Sequence, residues 1–167
     1  MLLPKSNPYV SGEFSVFDML VNQGEEKSHT ALSFDLHFFL VDCLVRNLRK
    51  NTIVHQVLAL DFLRSIEECR EEKNVSLKRM GDGALLLAGF FPERALRLNV
   101  SSNYFRLMGQ AAYANLGVSL QVSSQPERGE FYAKVAKHFH LLEKVLDAAR
   151  VRTAAWESYQ RFRVRLQ

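Results

Sequence analysis

Residues that make tight turns or covalent cross-links are scarce in this sequence. Its 167 residues include only four prolines, eight glycines and two cysteines. Such a low content of turn residues argues against a β-sandwich, whose many short strands each need a turn, and is typical of long helices. Two cysteines cannot form a disulfide framework. Because Cys43 and Cys69 lie among apolar neighbours in helical patterns, we expect buried free thiols in a reducing cytosol.

Long hydrophobic segments are also missing. The longest apolar stretches are far below the ~18 residues that a membrane-spanning helix needs. The first residues, MLLPKSNPY, have neither the basic start nor the apolar run of a secretion signal. We therefore expect a cytoplasmic protein without a transmembrane segment. A chain of this length most simply forms one domain, which buries enough surface to be stable without disulfides or structural metals.

Helical periodicity predicts an all-α, single-domain bundle of about five to seven helices, and no stretch shows the sustained alternation of a strand. Ser33 and Ser101-Ser102 are expected to lie at helix starts. The N-terminal part is predicted to contain an arm without regular structure at about 1–12, a short helix at 13–22 and a polar loop QGEEKSHT. Longer helices are predicted at about 32–50, at about 52–72, after Ser76 to about Phe90, after Ser101-Ser102, after the segment SSQPERG up to 149, and at about 153–165.

The segment 32–50 is apolar around most of its circumference. Its polar residues fall on one narrow stripe, where Asp42 and Arg46 form an i,i+4 pair. A helix that is apolar nearly all round is usually buried. We therefore expect this helix to occupy the centre of the bundle.

The stretch RMGDGALLLAGFFPER contains three glycines but no nucleotide-binding motif. It lacks the Lys-Ser/Thr pair of a P-loop, and Leu86 stands where a dinucleotide fingerprint needs its third glycine. We interpret Gly81, Gly83, Gly89 and Gly109 as sites of close helix packing, since a helical glycine costs about 1 kcal/mol relative to alanine. The alternative is a turn at the first two of these glycines.

Residues 80–116 contain a Gly-Asp, an apolar run, Gly-Phe-Phe-Pro-Glu, and then Tyr-Phe, Met-Gly and Ala-Tyr. This pattern, which covers under a quarter of the chain, resembles a stretch of uncharacterised bacterial helical proteins. The resemblance implies a bacterial, cytoplasmic, helical protein. It implies no activity, cofactor or site residue.

Four polar residues fall on faces that are predicted to be buried: His37, His55, Asp61 and His138. Histidines and a carboxylate that project from different helices are candidate metal ligands. However, Glu-x-x-His, the motif that a di-iron bundle repeats on two helices, occurs once, in the predicted loop. We therefore expect no metal or other cofactor, and histidines that donate to backbone carbonyls or to Asp61. A role in pH sensing or ligand binding is the alternative.

No pattern indicates catalysis. The nucleophile elbow G-x-S-x-G is absent, and Cys43 falls on the opposite side of its helix from His37. We therefore assign no catalytic residue and lean towards a protein that is not an enzyme.

The C-terminal segment 150–167 carries five arginines and one glutamate, which equals the whole net charge of +4. Its aromatic residues are spaced by three and four, as on one helix face. Three roles are open for this segment. Its aromatic residues pack on the domain, or its aromatic residues and arginines bind a protein partner, or its arginines contact phosphate groups of nucleic acid or anionic lipid. The candidate partner-binding residues are Arg152, Trp156, Tyr159, Arg161, Phe162, Arg163 and Arg165.

We predict a non-enzymatic interaction or regulatory protein of the bacterial cytosol, with a protein partner that includes a second copy of itself as one option. The first alternative is a nucleic-acid-associated regulator that uses the basic C-terminus. The remaining chain has a net charge of zero, which argues against this alternative, since nucleic-acid binders usually spread basic charge over a face. The second alternative is a helical protein that binds a small ligand or a metal.

Overall fold

The structure is a computed structural model that describes residues 12–49 and 70–150. These residues form helices and no strand, which confirms the predicted all-α, single-domain bundle. The helices are α1 (Gly12–Ser28), α2 (Phe34–Arg49), α3 (Arg70–Leu85), α4 (Pro92–Arg97), α5 (Ser102–Val122), α6 (Pro126–Lys137) and α7 (Phe139–Arg150).

The core forms where α5 packs between α3 and α6, while α1 packs along α7 and beside α2. The largest side chains that are fully buried include Tyr113 of α5 and Phe139 of α7. Both carry rings in the middle of the bundle, with centroids 6.2 Å apart. The aromatic residues therefore join helices that are distant in sequence.

Local sequence signals explain several helix ends. Ser101 is the N-cap of α5, and its hydroxyl accepts a hydrogen bond from the backbone N–H of Tyr104 at 3.2 Å, as expected for a serine at this position. Pro92 and Pro126 each stand in the first turn of a helix, where the missing N–H costs nothing. The predicted helix start at Ser101-Ser102 is confirmed.

Glycines mark the closest contacts between helices. A Cβ atom added at Gly81 would lie 2.6 Å from the ring of Tyr113, and one at Gly109 would overlap the ring of Phe139. The α3 helix continues as a π-helical segment, Leu86–Phe90, in which a Cβ at Gly89 would lie 2.9 Å from the Cβ of Leu146 on α7.

Gly83 is buried within α3 as well. Gly81 and Gly83 therefore belong to a helix, and the alternative of a turn at these two residues is wrong.

Several predicted boundaries need correction. The stretch predicted as a polar loop is helical up to Ser28. Gly24 has no side chain, so α1 packs closely against the backbone carbonyl of Val145 on α7, and this packing stabilises the helix. The α3 helix, Arg70–Leu85, passes through Ser76, after which we predicted a helix start. The helix predicted up to 149 is divided at His138, which caps α6 with φ −100°.

The α2 helix is not buried all round, contrary to the sequence prediction. Phe34 is 86% exposed, whereas Leu40 and Leu44 are fully buried. The predicted pair of Asp42 and Arg46 is present, with Arg46 Nε 2.7 Å from the Asp42 carboxylate. The α2 helix therefore has one buried face and one face that bears aromatic and charged residues.

The predicted arm before Gly12, most of the predicted helix at 52–72 and the predicted helix at 153–165 lie outside the described residues. Within 12–49 and 70–150, no helix is both long and apolar enough to cross a membrane.

Candidate functional site

An apolar groove with a volume of about 400 Å³ lies between α2 and α6. We call it the aromatic groove. It is lined by Phe34, Asp35, Phe38, Phe39, Asp42, Arg46, Phe131 and Tyr132.

Helical spacing places these side chains on the groove. Phe34, Phe38 and Asp42 follow one another at intervals of four residues on α2, so they share one face of that helix. Phe131 and Tyr132 come from the second turn of α6. The groove thus combines two helices whose residues are about 90 positions apart in the sequence, a juxtaposition that only the tertiary fold provides.

The aromatic rings form a floor and a rim. Phe39 is 5% exposed and packs edge-on against Phe131, with ring centroids 5.7 Å apart. Phe34 stands at the rim, 86% exposed, with its ring centroid 6.4 Å from that of Phe38. A large aromatic side chain that stays in water beside an apolar groove marks a place where another apolar group can be buried.

An ion pair joins the two helices at the Asp35 side of the groove. Lys134 Nζ lies 2.7 Å and 2.9 Å from the two carboxylate oxygens of Asp35. The hydrogen bond from Lys134, aided by one from Ser33, lowers the pKa of Asp35 from 3.8 to about 2. The carboxylate is therefore ionised at neutral pH and acts as an acceptor only.

A second charged group, Arg46, lines the groove and also reaches the core. Its Nε donates to Asp42 at 2.7 Å, and its Nη1 donates to Asp82 at 3.0 Å. Its Nη2 is buried and has no hydrogen-bond partner in the described part of the chain. The guanidinium group therefore connects the surface carboxylate of Asp42 to a buried carboxylate.

Asp82 is that buried carboxylate, with 2% of the residue exposed. Tyr113 donates its hydroxyl to one carboxylate oxygen at 2.7 Å. The other oxygen accepts from Arg46, from Lys78 at 3.3 Å and from Asn47 at 3.4 Å. A buried charge with this many donors is stabilised as part of the structure, so Asp82 supports the groove from beneath without lining it.

The phenol and thiol groups near Asp82 are held neutral. Burial, together with the negative charge of Asp82, raises the pKa of Tyr113 well above 10 and the pKa of Tyr132 to about 12. Burial, again aided by Asp82, raises the pKa of the Cys43 thiol well above 9. Because the thiolate is the reactive form of cysteine, Cys43 is unsuited to nucleophilic attack.

His37 lies between two carboxylates of α1. Its Nδ1 is 2.6 Å from Glu25 and its Nε2 is 2.9 Å from Asp18. Burial lowers the pKa of His37, but the hydrogen bonds to Asp18 and Glu25 outweigh it and raise the pKa above 6.5. The prediction of a bond to a backbone carbonyl or to Asp61 is therefore wrong for His37.

The remaining candidates do not join His37. His138 donates from Nδ1 to the carbonyl of Lys134 at 2.9 Å, the type of contact that we predicted for these histidines. His55 and Asp61 lie outside the described residues, as do the candidate partner-binding residues of the basic C-terminus. Within the described ranges, no three histidine, cysteine or acidic side chains are arranged to hold a metal ion.

No protein-family model matches this chain. No curated protein and no solved structure matches it either. The resemblance of residues 80–116 to bacterial helical proteins therefore stays a prediction.

Sequence reasoning did not identify the groove. The sequence predicted the helix 32–50 for the centre of the bundle, and no local pattern indicated that its aromatic residues would meet Phe131 and Tyr132 of α6. One signal was present in the sequence. The helix 32–50 carries more apolar residues than one buried face can hold, and such an excess also occurs when a second face binds a partner.

Proposed function

We propose that this chain is a non-enzymatic interaction protein that binds a protein partner in the aromatic groove. The observation that carries the proposal is the exposure of Phe34, 86%, beside a groove lined by four other aromatic rings. Aromatic side chains are enriched at the centres of protein interfaces, where they supply most of the binding energy. We also propose a cytoplasmic location and a bacterial origin, as the sequence predicts.

The shape and charge of the groove define the chemistry of the partner. A volume of about 400 Å³ accepts one or two apolar side chains such as leucine, methionine or phenylalanine. The acidic residues of the groove, Asp35 and Asp42, are each paired with a basic side chain. An uncharged apolar segment, such as one face of an amphipathic helix, therefore fits the groove better than a strongly charged segment.

The two alternative functions remain proposals of lower rank. Binding of nucleic acid rests on the arginines of 150–167, nearly all of which lie outside the described residues. Binding of a small apolar molecule would use the same groove as the protein partner. A single experiment separates these possibilities.

The experiment replaces Phe34 in the full-length chain by the photoreactive benzoylphenylalanine, which keeps an aromatic ring at the rim of the groove. The matched control places the same residue at Leu96, which is 69% exposed on α4. Lysate of the native host is irradiated with and without nuclease. Cross-linked species are identified by mass spectrometry.

We expect a defined protein to be cross-linked from position 34 and not from position 96, with or without nuclease. An excess of the unmodified chain should compete for this protein, whereas an excess of Phe38→Ala chain should compete poorly. A cross-link that nuclease removes, or equal cross-linking from both positions, would contradict the proposal. Retention of a small molecule without any protein would favour the ligand alternative.

A further inference from the structure

The outer face of α5 carries an apolar stripe that no other described helix covers. Its larger members are Tyr104, Leu107, Val118 and Val122, which are 38%, 59%, 61% and 66% exposed. Two exposed alanines, Ala111 and Ala114, complete it. At 100° per residue, these six positions fall within an arc of about 80°. We call this face the α5 stripe.

The opposite face of α5 already packs in the core. Phe105, Tyr113 and Leu116 are at most 3% exposed, and α5 makes its contacts with α3 and α6. The helix is therefore apolar on two faces, of which the other described helices cover one. A helix that is apolar all round is usually buried on both sides.

Charge is absent from the α5 stripe and, after Arg106, from the rest of α5. No aspartate, glutamate, lysine or arginine occurs between 107 and 125. The one charged residue of α5 is Arg106, whose guanidinium donates to Glu143 at 2.6 Å and 2.8 Å and so belongs to the contact with α7. A water-exposed helix face normally carries charges, whereas the core of a protein interface is depleted of them.

The order of residues along the α5 stripe is nearly the same in both directions. Counting outward from the point between Ala112 and Tyr113, the stripe has an alanine first on each side, then Leu107 or Val118 at equal distance, then Tyr104 or Val122, which differ in distance by one position. Two copies that lie antiparallel across this point place Ala111 opposite Ala114, Leu107 opposite Val118, and Tyr104 opposite Val122. Small residues at the middle allow the two helix axes to approach closely, to about 8 Å.

We propose that the α5 stripe is a self-association surface, on which a second copy of this chain binds in antiparallel orientation about a twofold axis. A twofold interface uses the same patch on both subunits, so the patch must be complementary to itself. The α5 stripe meets this requirement in two ways. It has no charge to repel its own copy, and each apolar residue meets another apolar residue.

The length of the α5 stripe sets the strength of the association. From Tyr104 to Val122 the helix rises about 27 Å. A single helix pair of this length covers less than the ~800 Å² per partner of a standard interface. We therefore expect a dimer with a dissociation constant in the micromolar range.

The test measures the mass of the full-length chain by sedimentation over about a hundredfold range of concentration around the micromolar dissociation constant expected here. Leu107→Glu and Val118→Lys should each weaken the dimer at least about tenfold, because an unpaired charge is then buried in an apolar contact. Val75→Lys is the matched control, since Val75 is 58% exposed on α3 and lies outside the α5 stripe. It should leave the dimer unchanged.

The double variant Leu107→Glu/Val118→Lys tests the orientation. Antiparallel pairing places each new carboxylate opposite a new ammonium group of the second copy, so dimerisation should return. An equimolar mixture of the two single variants should also dimerise better than either alone. Parallel pairing would instead bring like charges together in the double variant.

A chain that stays monomeric at every concentration would overturn the proposal, as would a dimer that is insensitive to both single substitutions. Failure of the double variant to regain dimerisation would overturn the antiparallel arrangement. Because the α5 stripe and the aromatic groove share no residue, cross-linking from position 34 is independent of these outcomes. Circular dichroism of each variant verifies that the helices are intact.

Discussion

The hydroxyl of Tyr113 and the carboxylate of Asp82 meet in the core at 2.7 Å, joining α5 to α3. Arg46 donates to the same carboxylate from α2 at 3.0 Å, so three helices converge on one buried charge. The arrangement also fixes the groove, because the ring of Tyr132 stacks on that of Tyr113, with centroids 6.0 Å apart. Asp82 is thus the structural link between the core and the surface that we propose to bind a partner.

Removal of the Tyr113 hydroxyl tests this link. Tyr113→Phe keeps the ring and leaves one oxygen of a buried carboxylate without its donor. We expect the free energy of unfolding to fall by about 1–3 kcal/mol, measured by urea denaturation. Tyr104→Phe removes a hydroxyl from an exposed tyrosine and should change stability by less than about 0.5 kcal/mol. Equal effects of the two substitutions would show that the bond to Asp82 contributes nothing.

Close packing at Gly109 makes a second prediction. In Gly109→Ala the new methyl group would overlap the ring of Phe139, which is fully buried, and would lie 3.0 Å from the Cβ of Ala84. Overpacking of about 1–3 kcal/mol should exceed the ~1 kcal/mol gained in helix propensity. We expect a lower midpoint of thermal unfolding.

Gly12→Ala is the matched control for Gly109→Ala. A Cβ at Gly12, the first described residue of α1, has no atom within 4 Å. The substitution should leave the midpoint unchanged or raise it slightly. A rise in the midpoint for Gly109→Ala as well would show that α5 can move away from Phe139 of α7 without loss of stability.

Local signals in the sequence were sufficient for the helical class and for several particular features. The spacing of Asp42 and Arg46 predicted their ion pair, and the Ser101-Ser102 pair predicted the start of α5. These features depend on residues within one turn of each other. Helix propensity, capping and i,i+4 spacing are local properties, which a single sequence shows directly.

Features that depend on distant residues were not predictable. Asp82 lies 36 positions from Arg46 and 31 from Tyr113, and no local pattern indicates which donors a buried carboxylate will find. The flanking glycines indicated only that this part of α3 packs closely. Likewise, Gly24 reads as a loop residue until α7 is seen to pack on it. The aromatic groove could not be predicted for the same reason, since its lining comes from both α2 and α6.

The pair of carboxylates around His37 predicts a pH-dependent contribution to stability. Because the pKa of His37 is raised above 6.5 in the folded chain, the imidazolium stabilises the fold fully below 6.5. This contribution is lost as the pH rises through the raised value. His37→Gln should therefore be less stable than the wild type just below pH 6.5, and the difference should shrink at alkaline pH.

Urea denaturation at a series of pH values measures this difference. Asp18→Asn removes one of the two carboxylates, and should lower the pKa of His37 and move the transition to lower pH. A difference between His37→Gln and the wild type that is constant with pH would contradict the assignment. It would mean that the ring is held only by packing.

The ion pair of Asp35 and Lys134 makes a prediction about the groove itself. Lys134→Met removes the main cause of the low pKa of Asp35, so this pKa should rise from about 2 towards 3.8, measured by NMR titration of the carboxyl carbon. It should not return fully, because the hydrogen bond from Ser33 remains. Lys137→Met, one turn further along α6, is the control and should leave the pKa of Asp35 unchanged.

The sign of the accompanying stability change follows from the same pKa. Because the pKa of Asp35 is lowered in the folded chain, its carboxylate stabilises the fold at pH values above 3.8. This stabilisation is lost as the pH falls through about 2. The Asp35 side chain is 44% exposed, so solvent screens the pair and the loss of stability in Lys134→Met at neutral pH should be small. Cross-linking from position 34 should nevertheless decrease, because the ion pair no longer joins α2 to α6 at the Asp35 side of the aromatic groove. Unchanged cross-linking would show that the aromatic packing of Phe39 on Phe131 holds the groove in shape without the ion pair.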